Sequence, residues 1–138
     1  MSNRLFCFCS LLCAAILVGC DQAPELGHVT GTVTMDGKPL GEVRVLFVPE
    51  PDDEGEGIYS DCYTGEDGKY DLIYSSDSEV RGATVGPHTV AVEDAQAEES
   101  RGSMAIRVPD RFSSAVRSPL KFDVKTGENT YDIEIPRK

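Results

Sequence analysis

From residue 28 onward, apolar and polar residues alternate with a period of two along most of the chain. Val29, Gly31, Val33 and Met35 alternate with Thr30, Thr32 and Thr34, the pattern of a half-buried strand. Val43, Val45 and Phe47 alternate with Arg44, Leu46 and Val48, so this second run is apolar on nearly both faces and belongs well inside a sheet. Asp36 to Gly41 (DGKPLG) lies between them, dense in residues that favour turns, and the stretch Val29–Pro49 predicts a hairpin. Ile58 to Thr64 predicts a third strand, with Tyr59, Asp61 and Tyr63 on one face and Ser60, Cys62 and Thr64 on the other. Gly65-Glu66-Asp67-Gly68 contains Asp-Gly, a strong turn signal, and leads to Tyr70, Leu72 and Tyr74 alternating with Asp71 and Ile73, a second hairpin. Val90 and Val92 opposite Thr89 and Ala91 mark a fifth strand within Pro87–Glu93. Leu120, Phe122 and Val124 mark a sixth, Lys125 to Asn129 a turn, and Tyr131, Ile133 and Ile135 a seventh. Met104 to Pro109 reads as a short extended piece, while Ser75–Gly86, Asp94–Gly102 and Arg111–Ser118 read as loops. No stretch shows a 3.6-residue amphipathic period. About seven short strands with turns between them predict an all-β fold, a single Ig-like β-sandwich.

The first 27 residues follow a different pattern. Arg4 supplies one positive charge, an apolar run of about 14 residues follows from Leu5 to Val18, and small residues close it. The run is short of the roughly 20 residues a membrane-spanning helix needs and matches a secretory signal peptide. Leu17-Val18-Gly19-Cys20 resembles the bacterial lipobox, in which the Cys is acylated and becomes the new N-terminus. The expected division is a lipoprotein signal peptide over 1–19, lipidated Cys20 and a tether over 20–27, and the sandwich over 28–138. An exported chain held by lipid, palmitate included, in the bacterial cell envelope follows, since two or more acyl chains suffice for stable anchoring.

This division changes the cysteine count. Of 5 Cys in the sequence, Cys7, Cys9 and Cys13 leave with the signal peptide and Cys20 carries lipid. Cys62 alone remains a thiol, which excludes an intrachain disulfide and a thiolate zinc site. Removing residues 1–19 takes away Arg4 and no acid, leaving 12 basic and 24 acidic residues, net −12. Such a surface repels nucleic acid and anionic lipid, so attachment to the membrane falls to the lipid and no nucleic-acid partner is expected.

Candidate chemistry is sparse. His28 and His88 have no ligand at metal-binding spacing and read as surface polar groups at strand starts. Cys62 with His88 as base would make a nucleophile, but a thiol inside an alternating strand is more often a buried structural one. No Ser sits in a Gly-x-Ser-x-Gly turn. Asp52, Asp53, Glu54 and Glu56 place four carboxylates in an acidic loop, with Asp61 and Asp67 on the neighbouring hairpin, as a calcium site of six to eight oxygens would need. A charge run of this kind is more often a solvated loop. Tyr59 and Tyr63 share one strand face, and Tyr70 and Tyr74 share one on the next; a pair facing outward would stack a sugar or hold a partner strand, but Tyr at such positions is more often in the sandwich core with its hydroxyl at the rim. No cofactor and no catalytic group is expected.

Taken together, the lipobox, VTGTVTMDGKPLGEVRVLFVP, TGEDGKYDL (Thr64–Leu72), GPHTVAV (Gly86–Val92) and SPLKFDVKTGENTYDIEI resemble small bacterial lipoproteins with a carboxypeptidase regulatory-like, transthyretin-like domain. In that family the second piece usually reads Thr-Asp-x-x-Gly-x-Tyr; Gly68 and Tyr70 fit, and Gly65 stands where Asp is typical. The resemblance covers nearly all of the chain after the signal peptide and rests on the order and spacing of the pieces. It implies a transthyretin-like β-sandwich without catalytic residues, and hence an interaction or structural role toward an envelope protein or polysaccharide. A calcium- or carbohydrate-binding module at the cell surface is the alternative.

Overall fold

The computed structural model describes residues 23–51, 57–96 and 107–137. Within them run β1 (Leu26–Met35), β2 (Lys38–Pro39), β3 (Val43–Pro49), β4 (Ser60–Tyr63), β5 (Lys69–Asp71), β6 (Ile73–Tyr74), β7 (Ala83–Thr84), β8 (Gly86–Asp94), β9 (Lys121–Val124), β10 (Gly127–Thr130) and β11 (Ile133–Ile135). They form two sheets, and the chain is an all-β sandwich. In the first sheet β1 is the common partner of five strands. One of its edges pairs antiparallel with β7, β5 and β2 in turn, and the other pairs parallel with β10 and then β11. The second sheet runs in the order β6-β4-β3-β8-β9, antiparallel throughout.

The expected hairpin over Val29–Pro49 is not formed, because β1 and β3 lie in opposite sheets. The turn is shorter than the six-residue DGKPLG segment. Asp36 and Gly37 both take positive φ (47° and 75°), the two-residue hairpin geometry that Asp-Gly favours, so Met35 pairs with Lys38. Leu40 then buries itself, and Glu42 (φ 55°) swings the chain across the core into the second sheet. There β3 is central, between β4 and β8, as its two-sided apolar character requires.

The second expected hairpin is divided in the same way. Lys69–Asp71 joins β1, whereas Ile73 and Tyr74 return to pair with Asp61 and Ser60 of β4. Leu72, fully buried, is the crossing point; its N–H donates to Val29 O (3.0 Å) and its carbonyl accepts from Gly82 N–H (2.8 Å). The segment read as a turn over Lys125–Asn129 contains the start of β10, and buried Asn129 ties it: Nδ2 donates to the carbonyls of Lys125 (2.7 Å) and Gly127 (3.0 Å) while Oδ1 accepts from Lys125 N–H (2.9 Å). With these divisions, and with the short β7 in a segment read as a loop, the described residues hold eleven strands where about seven were expected.

The inward rows of both sheets meet around Phe47, whose ring lies 5.9–6.5 Å from those of Tyr70, His88, Phe122 and Tyr131. Val29, Val33, Val43, Val45, Val90, Val92, Ile133 and Ile135 fill the rest, joined by Val108 and Phe112 from the loop before β9. Full burial of side chains of this size stabilises by roughly 1.5–3 kcal/mol each. No helix among the described residues is long and apolar enough to cross a membrane.

Candidate functional site

Where the chain crosses from β5 to β6, residues of β4, β5 and β6 line a cleft of about 640 Å³ with Ser75, Ser78 and Arg81. β4 supplies one wall. Alternation there turns Ser60 and Cys62 inward and Asp61 and Tyr63 outward, and Tyr59, just ahead of the strand, also faces out. Tyr59 and Tyr63 are 43% and 59% exposed, whereas Tyr70 and Tyr74 are buried. Of the two tyrosine pairs weighed from sequence, one is therefore outward and the other buried, and both line the cleft. Tyr70 donates its hydroxyl to Tyr131 O at 2.5 Å, and burial holds its phenol well above the usual range.

The charged groups of the cleft are paired. Asp61 accepts from Arg44 Nε (2.7 Å) and from Ser75 Oγ (3.0 Å); Arg44 also reaches Glu93 (3.2 Å) and lies 5.9 Å from the centre of the Tyr59 ring. Burial opposes the charge on Arg44, and the two carboxylates more than offset it, so the guanidinium titrates above its usual range. Asp71 meets Arg81 Nη1 (3.4 Å) and His28 Nε2 (2.9 Å). Lys69 faces Asp67 (3.3 Å), whose carboxyl is held below its usual range chiefly by the Lys69 backbone N–H.

His28 was expected as a lone surface group and is not one. Its Nδ1 faces Glu128 (2.8 Å) as its Nε2 faces Asp71, so both contacts are hydrogen bonds only when both nitrogens carry protons. The hydrogen bond with Asp71 raises its pKa, burial opposes the rise, and Glu128 adds to it. These partners lie 43 and 100 residues away in sequence, beyond the reach of any local spacing rule.

His88 is a second correction. It is 1% exposed against Phe47, with Nδ1 donating to Gly86 O (2.9 Å) and Nε2 facing the Thr84 hydroxyl (3.3 Å). Burial lowers its pKa. Its partners are thus Thr84, Gly86 and Phe47, and β3 separates its strand from that of Cys62, so no Cys–His pair forms. The Cys62 thiol is buried and pushed up to about 12, chiefly by that burial.

Cys20 and the acidic residues Asp52, Asp53, Glu54 and Glu56 lie outside the described residues. Of the two aspartates expected to approach them, Asp61 is engaged by Arg44 and Asp67 by Lys69. Among the described residues no three His, Cys, Asp or Glu converge to hold a metal. A second hollow, about 600 Å³, lies at the other end of β1 beside Lys38, Arg107 and Arg137. There Arg107 is bound to Asp94 and Arg137 faces Asp36 (3.2 Å).

Fold and cleft together define a β-sandwich whose flank exposes two aromatic rings beside mutually neutralised charges. Comparison with known proteins adds no family to that class: no family model, no curated protein and no solved structure matches the chain.

Proposed function

We propose that the chain is a non-catalytic binding module of the bacterial cell envelope, held at the membrane by lipid on Cys20 and acting through the flank that carries Tyr59 and Tyr63. The observation that carries this reading is the exposure of those two rings at the mouth of a cleft, in a fold that buries Tyr70 and Tyr74. Aromatic surface left outward beside a concavity is what recognition sites use. The groups best suited to bond making are committed elsewhere: Cys62 is buried and stays a thiol, Asp61 is paired with Arg44, and His28 lies between Asp71 and Glu128. The lipobox supports the anchor, and the likeness to regulatory-like lipoprotein domains points to the same kind of role. Of the alternative ligands, the outward tyrosines favour carbohydrate over calcium.

A photo-crosslinking residue in place of Tyr63, carried by the full chain in growing cells, tests the reading. A discrete adduct is expected there and not with the same residue at Asp110, an exposed position on the loop before β9. Equal labelling at both positions would remove the cleft as a binding site. Metabolic labelling with palmitate checks the anchor, and undiminished incorporation into a Cys20→Ala chain would exclude it.

A further inference from the structure

Resting on that reading, we infer that the cleft between β4 and β5 binds a neutral, hydroxyl-rich saccharide across Tyr59, Asp61 and Tyr63. Three features of the site specify this chemistry. The first is the platform. Tyr59 and Tyr63 lie four residues apart on one extended face, about 13 Å along the chain, so their rings meet different units of an oligomer rather than one small ring. Arg44 lies over one face of the Tyr59 ring, so the more exposed Tyr63 ring is the main face offered to the C–H side of a sugar.

The second feature is charge. Asp61 is balanced by Arg44, Asp71 by Arg81 and Lys69 by Asp67. A strongly anionic or cationic ligand meets no uncompensated opposite charge there, and the net −12 of the chain after its signal peptide further repels anions. Each paired carboxylate nevertheless keeps unused acceptor sites, since an ionised carboxyl has about four. With the Ser75 hydroxyl and the Arg81 guanidinium alongside, the walls offer donors and acceptors in fixed positions, as vicinal hydroxyls require.

The third feature is the blocked edge. A peptide adding itself as a strand needs a free run of backbone. The outer edge of β5 is taken by its own turn, with Gly65 N–H donating to Lys69 O (3.0 Å) and Lys69 N–H to Asp67 Oδ1 (3.1 Å). β6 covers β4 at Ser60 and Asp61, leaving only Cys62 and Tyr63. Two residues are too short a template for strand addition.

The test titrates the full lipidated chain in detergent with maltohexaose, cellohexaose, chitohexaose and mannohexaose, and with hexagalacturonate as the anionic comparator. Binding of at least one neutral hexasaccharide is expected, tighter than that of hexagalacturonate, with about tenfold loss in Tyr63→Ala and an unchanged circular dichroism spectrum. Tyr59→Ala, on the same face, is expected to act in the same direction. Failure of all four neutral sugars, preference for hexagalacturonate, or full affinity in the Tyr59→Ala/Tyr63→Ala double variant overturns the inference. A protein adduct from the position-63 crosslinker without sugar binding also overturns it while leaving the binding reading in place. Absence of both defeats the two together.

Discussion

A methyl group at position 31 would sit 2.0 Å from the Tyr131 carbonyl oxygen and 2.8 Å from the Tyr70 ring. Gly31 lies on the inward row of β1, where Val29 and Val33 are fully buried, and the missing side chain is what lets the Tyr131 backbone approach. Both neighbours are fixed, since the Tyr70 hydroxyl donates to that same carbonyl. Gly31→Ala is therefore expected to destabilise by about 3 kcal/mol, the upper end for overpacking, read as a lower urea midpoint with the slope unchanged. The alternation around Gly31 was legible in the sequence, which placed it inward. The reason for a glycine was not, because the carbonyl that excludes a side chain comes from a residue 100 positions later.

At the scale of elements, β8 is fixed to the β2–β3 connection by one arginine. Arg107 meets Asp94 through Nε and Nη2, the latter at 2.6 Å, and donates to the carbonyls of Gly41 (3.1 Å) and Glu42 (3.1 Å). The Asp94 side chain is 2% exposed. Its burial alone would raise its pKa, and the Arg107 hydrogen bonds reverse this and lower it. Arg107→Ala strands a buried carboxylate and releases the turn at Glu42, so a loss of about 3–5 kcal/mol is expected in chemical denaturation. Arg107→Lys should recover only part, since Lys lacks the fork that spans carboxylate and carbonyls. Strands over Val43–Val48, within Pro87–Glu93 and at Tyr131, Ile133 and Ile135 were readable because alternation of residue types is a local signal. Partner choice was not. Whether Val33 continues into a hairpin with Val43 or leaves it for the other sheet depends on the positive φ of two turn residues and on where Leu40 finds cover. Both tyrosine pairs were named from sequence without saying which faces outward, and Asp71, Ser75 and Arg81 reach the cleft only through the crossing at Leu72.

For the molecule as a whole, the two histidines make stability depend on pH in opposite senses. His28 has a raised pKa, so its contribution is fully present below 6.5 and is lost as pH rises through the raised value. His88 has a lowered pKa, so its contribution is present above 6.5 and is lost as pH falls through the lowered value. The two losses fall on opposite sides of pH 6.5, so the stability contributed by the pair peaks near that value. In His28→Ala the fall on acidification below 6.5 remains while the decline above 6.5 is lost, so the thermal midpoint should level off above 6.5 where that of the wild type decreases. Asp94, Asp67 and Glu134, whose pKa values are lowered, hold their contribution until more acidic pH and so leave this window clear.

β1 also gives the first sheet a direction. It runs parallel to β11, with Val33, Thr34 and Met35 beside Ile133, Glu134 and Ile135, and the chain enters at the opposite end of β1 from the end at which β11 finishes. A pull between Leu26 and Ile135 therefore loads the bonds of that ladder side by side, in shear, where a hairpin would open one bond at a time. If membrane attachment precedes β1 and a partner is gripped at the flank, tension between them enters the fold through its most widely paired strand. The same arrangement that joins residues 100 apart makes the first sheet resist a pull applied between Leu26 and Ile135.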